Sequence, residues 1–196
     1  MAQVAEQAYA EADADTDQDQ FLTFTLSGEV YAIEILSIRE IIDYGNLTTV
    51  PMMPAFIRGV INLRGSVVPV VDLAARFGGE LAEITKRTGI IIIEIVDGET
   101  TLNIGAVVDG VNEVLEIPSG DIEPPPSFGS RIRTDFIKGM GKVNDRFLVL
   151  LDVANVLSVD ELSLLDEVQH QAQDQVETLV ETGAETGLPT PVGEGA

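Results

Sequence analysis

Four short stretches of this chain occur twice, in the same order. Gly28-Glu29 returns as Gly98-Glu99 and Glu40-Ile41 as Glu113-Val114. Phe56-Ile57-Arg58-Gly59 returns as Phe136-Ile137-Lys138-Gly139, and Val70-Val71-Asp72-Leu73 as Leu150-Leu151-Asp152-Val153. The spacings are 70, 73, 80 and 80 residues, so they never shrink along the chain. Chance matches would scatter; ordered ones mark an internal duplication. The copies fall at 21–85 and 86–157. A unit this small buries little core alone. Two copies gain by packing together, which predicts an apolar seam and a groove between them.

The local pattern inside each copy is that of strands. Phe21 to Leu26 is rich in β-formers, Ser27-Gly28-Glu29 makes a turn, and Val30 to Ile33 runs back. Ile90 to Val96, Asp97-Gly98 and Glu99 to Ile104 repeat that hairpin. Val67 to Val71 and Phe147 to Leu151 are further short apolar runs. Ile35, Ile38, Ile41 and Ile42 fit either a turn or two of helix or a continuing strand. Short strands with glycine turns predict an all-β chain of two small barrels.

After residue 157 the period changes. Leu162, Leu165, Val168, Ala172, Val176 and Leu179 recur at helical spacing, and Ser158 with Glu161 fits a capping box. This predicts an amphipathic C-terminal helix over 158–181. The stripe fits packing on a barrel, and it also fits a partner helix.

Charge is concentrated at the ends. Of 33 acids, six lie in residues 1–20 and nine in 160–196, where there is no Lys or Arg. Both ends, 1–20 and 182–196, read as disordered acidic tails. A net charge of −22 opposes binding to nucleic acid and to anionic membranes. No apolar run approaches the ~20 residues of a membrane helix. The acidic N-terminus lacks the basic and apolar regions of a secretory signal. Without Cys there is neither disulfide nor thiolate chemistry, which fits a cytoplasmic protein.

Motifs for chemistry fail one by one. The single histidine, His170, stands among glutamines on the predicted helix. Asp13, Asp15, Asp17 and Asp19 resemble the start of a calcium loop. That loop needs Gly sixth and Glu twelfth, where this chain has Gln18 and Phe24. Gly139-Met140-Gly141-Lys142 lacks the frame of a phosphate loop and reads as a turn. Asp72 and Asp152 are repeat-equivalent carboxylates and leave a carboxylate-dependent hydrolase as a distant alternative. No residue is assigned as catalytic or metal-binding, no cofactor is expected, and the chain reads as a non-enzyme.

The run Pro54-Ala55-Phe56-Ile57-Arg58-Gly59-Val60-Ile61-Asn62-Leu63-Arg64-Gly65, continuing through Val67 to Leu73, resembles the CheW-type chemotaxis coupling proteins. Phe21 to Leu26, Tyr31 to Leu36, Val107 to Val111 and Pro124 to Phe128 are similar to that family in order and spacing. The resemblance spans about 21–168. It implies two SH3-like, five-stranded β-barrels from the duplication. It implies a cytoplasmic adaptor, monomeric in isolation, that bridges chemoreceptor tips to the regulatory domain of the histidine kinase CheA and joins rings with it at membrane receptor arrays. A coupler for a twitching or other non-motility pathway fits the same residues. By position, Ile38, Arg64, Val111 and Val114 match places of expected receptor contact. Glu40, Ile41, Arg58 and Phe128 match places of expected kinase contact. One departure is Glu123, which stands before Pro124, Pro125 and Pro126 where family members often carry a base.

Overall fold

The computed structural model describes residues 18–97, 100–125, 132–157 and positions 161, 163 and 167. The first sequence copy supplies strands β1 (Gln18–Leu26), β2 (Glu29–Glu34), β3 (Ile38–Asp43), β4 (Ile57–Leu63) and β5 (Ser66–Asp72), then a one-turn helix α1 (Leu73–Arg76). The second supplies β6 (Gly89–Asp97), β7 (Thr100–Val108), β8 (Gly110–Pro118), β9 (Ile122–Glu123), β10 (Ile137–Val143) and β11 (Arg146–Leu151), then α2 (Val153–Val156).

The sheets do not follow the copies. One has the order β8-β1-β2-β11-β10-β9 and the other β3-β6-β7-β5-β4. Each sheet therefore holds the leading hairpin of one copy and the later strands of the other. The boundary at 85/86 separates the sequence copies, while both sheets cross it. The cause is local. Between β2 and β3 there is only the 3-10 turn Ile35–Ser37, and between β7 and β8 only Asp109. Neither connection is a hairpin turn. The chain steps across, so β3 pairs antiparallel with β6 and β8 with β1. The 35–42 segment thus divides into a 3-10 turn and a strand.

Each sheet closes on itself. Past β3 the chain reaches Thr48, which exchanges both main-chain bonds with Val60 of β4 at 2.9 and 2.8 Å. On the other sheet, β8 continues through Ser119–Asp121 into β9, which pairs with β10. Counting β8 and β9 as one bent strand, both barrels have five strands. Glycine permits the closure. A Cβ on Gly59 would collide with the Thr48 carbonyl oxygen, and one on Gly139 would lie 3.0 Å from the Glu123 carbonyl oxygen.

Three cores result. Phe21, Ala32, Ile117, Leu148 and Leu150 fill the barrel of β1. Ile61, Val68, Val70, Ile90, Ile92 and Val107 fill the barrel of β6. The largest core lies between them and takes Leu22, Phe24 and Leu26 from β1 and Ile91, Ile93 and Ile95 from β6. Successive side chains of a strand point to opposite faces. The run Ile90 to Ile93 is unbroken because β6 faces a core on both sides, as does β1 opposite it.

The ends of β5 and β11 are braced in parallel and unequally. Asp72 accepts from Ala75 N at 3.1 Å and caps α1; Asp152 accepts from Asn155 N at 3.4 Å and caps α2. Asp72 is fully buried and does more. Its Oδ2 accepts from Arg58 Nε at 2.8 Å and from Ala82 N at 2.9 Å, while Arg58 Nη2 donates to the Ala82 carbonyl. The 77–88 loop is thereby pinned at both main-chain groups of Ala82. Arg76 of α1 joins the copies. Its guanidinium lies over Phe56 and its repeat mate Phe136, 5.1 and 5.2 Å from the ring centroids. It donates to the Val156 carbonyl at 2.9 Å and to Glu161 at 3.0 Å. Glu161, Ser163 and Glu167 are helical. Ser158, the other capping-box residue, and most of the predicted helix and both tails lie outside the described residues, apart from 18–20, which open β1.

Asp72→Ala leaves the part-buried Arg58 guanidinium without its carboxylate and two main-chain donors, Ala75 N and Ala82 N, without partners. It is expected to destabilise by about 3–5 kcal/mol. Asp152→Ala removes only a cap and is expected to cost about 1 kcal/mol. Equilibrium denaturation of the two variants measures the difference; equal losses would deny Asp72 its bracing role.

Candidate functional site

The repeat organises the surface as well as the core. Ile38 stands opposite Ile93 in β6, and Val111 opposite Phe24 in β1. Ile41 stands opposite Ile91, and Val114 opposite Leu22. Ile38 and Val111 are therefore equivalent, as are Ile41 and Val114, each pair 73 residues apart. Both pairs lie on the outermost strands, β3 and β8. Ile38 and Val111 are half-buried against the inter-barrel core. Ile41 and Val114 instead expose 44% and 46% of their surface. Burial would remove that apolar area from water, so a partner gains by covering either one. Leu36, Met52, Val96 and Phe147 are more exposed still, but they do not form a repeat-equivalent pair on β3 and β8.

Between the end of β3 and the start of β8 runs a groove of about 610 Å³, lined by Ile41, Ile42, Asp43, Gly89, Gly110 and Val111. Both barrels contribute to it. This is the seam predicted from the duplication.

Arg64 reaches the same strand from the β4–β5 hairpin. Its Nη2 donates to Glu40 Oε2 at 2.9 Å, and the guanidinium is 80% exposed. Arg64 and Gly65 are the central residues of a two-residue turn, with φ of 53° and 90°. Gly65 N also donates to Asn62 Oδ1 at 2.9 Å. The repeat-equivalent turn holds Asn144-Asp145, and the β1–β2 turn holds Ser27-Gly28, all at positive φ. Such turns favour Gly, Asn and Asp at both positions. An arginine is poorly suited to the conformation, and local packing gives it no reason to be there.

Two further expected contact residues behave differently. Arg58 is mostly buried, and its guanidinium is engaged with Asp72 and the Ala82 carbonyl. It belongs to the bracing of the 77–88 loop, and it is not a free surface cation as a contact role would require. Phe128 lies outside the described residues, as do His170 and residues 13–17. Gly139 to Lys142 is the middle of β10, so the turn expected there sits two residues later, at Asn144-Asp145. The Asp72 and Asp152 carboxylates belong to different barrels and serve as caps, which removes the basis for a hydrolase pair. Among the described residues no cluster of three His, Cys, Asp or Glu side chains is placed to hold a metal. No described helix is long and apolar enough to cross a membrane.

The reading of the sequence missed Arg76 and Ala82. For Arg76 a signal existed: Phe56 and Phe136 are repeat mates, so a side chain between them would touch both copies. Nothing in the composition of the 77–88 loop marks Ala82.

The model of the CheW-like domain matches residues 20–161. The chemotaxis protein CheW of Klebsiella aerogenes is 38% identical over 149 residues, covering 76% of this chain and 87% of that protein. The chemotaxis protein CheW of Bacillus subtilis is 36% identical over 154 residues, covering 78% of this chain and 94% of that protein. The crystal structure of the scaffolding protein TtCheW from Thermoanaerobacter tengcongensis superposes with a TM-score of 0.66 at 34% identity, covering 74% of this chain and 90% of that one. Two barrels built from a duplicated chain, matched along nearly their whole length, place this protein in the CheW-like family.

Proposed function

We propose that this chain is a non-enzymatic chemotaxis adaptor that couples the cytoplasmic tips of chemoreceptors to the histidine kinase CheA at receptor arrays. The observation that carries this reading is the pair Ile41 and Val114. They are equivalent by repeat, half-exposed, and set on the outer strands of different barrels. One molecule thus offers two similar apolar anchors, the arrangement a bridge requires. A few such anchors dominate most protein contacts.

In this reading Ile41 and Glu40 meet the kinase regulatory domain, with Arg58 holding the loop behind them. The inter-barrel groove, with Ile38, Val111, Val114 and Arg64, takes one apolar face of a receptor helix hairpin. Phe128 serves a second kinase contact that closes a ring. Such contacts join unlike surfaces head to tail, and a ring forms when the rotation between neighbours closes. Arg64 supports the reading through its cost. A non-glycine residue kept at positive φ is retained for what its side chain does. Its bond to Glu40 is too exposed to account for that by stability.

Binding to the purified kinase regulatory domain and to a receptor-tip fragment, measured separately, tests the assignment. Val114→Ser is expected to weaken binding of the receptor fragment at least ten-fold and leave that of the kinase domain unchanged. Ile41→Ser is expected to weaken binding of the kinase domain at least ten-fold and that of the receptor fragment by less, because Ile41 also lines the groove. Wild-type binding by both variants would remove the proposal. Arg64→Gly is the sharper variant, since it relaxes the turn while deleting the guanidinium. Its melting temperature is expected to hold or rise while receptor-dependent control of the kinase is lost in a reconstituted array. Normal control would free Arg64 of any signalling role.

A further inference from the structure

The two copies differ at one clamp. In the first, Asp72 and Arg58 hold Ala82 by its N–H and its carbonyl, and Leu81 lies beside Ser27 on the same groove. In the second, the same positions are Asp152 and Lys138, each 80 residues later. Among the described residues Asp152 accepts from Asn155 alone, through N and Nδ2. Lys138 donates to Glu34 at 2.6 Å, in a pair where the lysine is 44% exposed. Arg76 takes the Val156 carbonyl and the Glu161 carboxylate. Lys138 and Asp152 both line a groove of about 240 Å³ with Ile95, Val96 and Ala154. Val96, close to the register position of Ser27, is 65% exposed.

We propose that Lys138 and Asp152 form a second main-chain clamp, one that takes an extended segment from a partner protein. The first clamp shows the required chemistry. The segment presents a small residue whose N–H meets the carboxylate and whose carbonyl meets the cation, preceded by an apolar residue that covers Val96. The substitution of lysine for arginine makes this clamp reversible. The guanidinium of Arg58 binds Asp72 and a carbonyl at once through its fixed fork. The ammonium of Lys138 is a single mobile donor, and an ion pair as exposed as Lys138–Glu34 exchanges readily. The inference goes beyond the receptor and kinase contacts proposed above and uses none of their residues.

The probe is a blocked peptide with the chain's own clamped sequence, Gly79 to Thr85, titrated into the isotopically labelled full chain. The expected result is saturable shifts of the Val96, Lys138, Asp152 and Ala154 amides at millimolar peptide. Lys138→Met is expected to raise the apparent Kd at least ten-fold with an unchanged melting temperature. A peptide with Val in place of Ala82 is expected not to bind. Absence of shifts at those amides overturns the proposal, as does binding that survives both changes. Shifts confined to Arg58 and Asp72 would mean exchange with the chain's own loop and would equally overturn it. The same amide shifts on concentrating the protein alone would make the occupant a second copy. None of these readouts involves kinase or receptor, so this clamp and the adaptor reading fail separately.

Discussion

The rest of the molecule depends on the core between the barrels, where β1 and β6 are each buried on both faces. Each of these strands is paired in its own sheet with a strand of the other copy, β8 and β3. Neither copy can therefore leave the other without breaking a ladder and opening a core. The duplication has not made two domains on a tether. It has made one body with two similar faces, and the short crossings at 35–37 and at Asp109 enforce this by leaving the chain no way to fold back.

Within that near-symmetric frame, the divergent positions carry the information. The bracing of the strand ends follows one plan, with Asp72 and Asp152 as caps. Arg58 became a buried cation tied to a carboxylate, while Lys138 stayed at the surface. Val107 helps fill one barrel, whereas the equivalent Glu34 of the other reaches outward to Lys138. Arg76 has no counterpart in the second copy, where Val156 stands instead. A guanidinium over both Phe56 and Phe136 is stabilised by two rings at once. From the same position Arg76 also bonds the Val156 carbonyl and the Glu161 carboxylate.

The duplicated β-architecture was legible in the sequence because repeats survive as local matches. The growth of the spacing from 73 to 80 reflects the longer connection between β8 and β10, which carries β9. Sheet membership was not legible. A spacing of 80 says that β4 and β10 are alike, and it is silent on whether β5 lies beside β2 or β7. That depends on whether a connection reverses the chain, which one residue at Asp109 decides. The site shows the same division. Ile38, Ile41, Val111 and Val114 form two equivalent pairs, visible as a common spacing of 73. Arg58 misled because an arginine reads as surface until its buried carboxylate partner is known. That partner is Asp72, 14 residues away, whose repeat-equivalence with Asp152 reads in the sequence as a pair of carboxylates.

In the adaptor reading there is no bond to make or break, so geometry is the means of action. A contact at Ile41 bears on β3, and through the Ile41–Ile91 pairing on the shared core. A contact at Val114 bears on β8, and through Leu22 on the same core. Close-packed interiors transmit displacement because they have few voids to absorb it. The two anchors are thus held at a fixed separation and orientation by one set of side chains. A tethered pair of barrels would bind two partners equally well and impose no relation between them. Coupling needs the free energy at one anchor to depend on the state at the other. The exchanged hairpins supply the rigidity for that dependence, because motion of one barrel against the other must be taken up in the core they share.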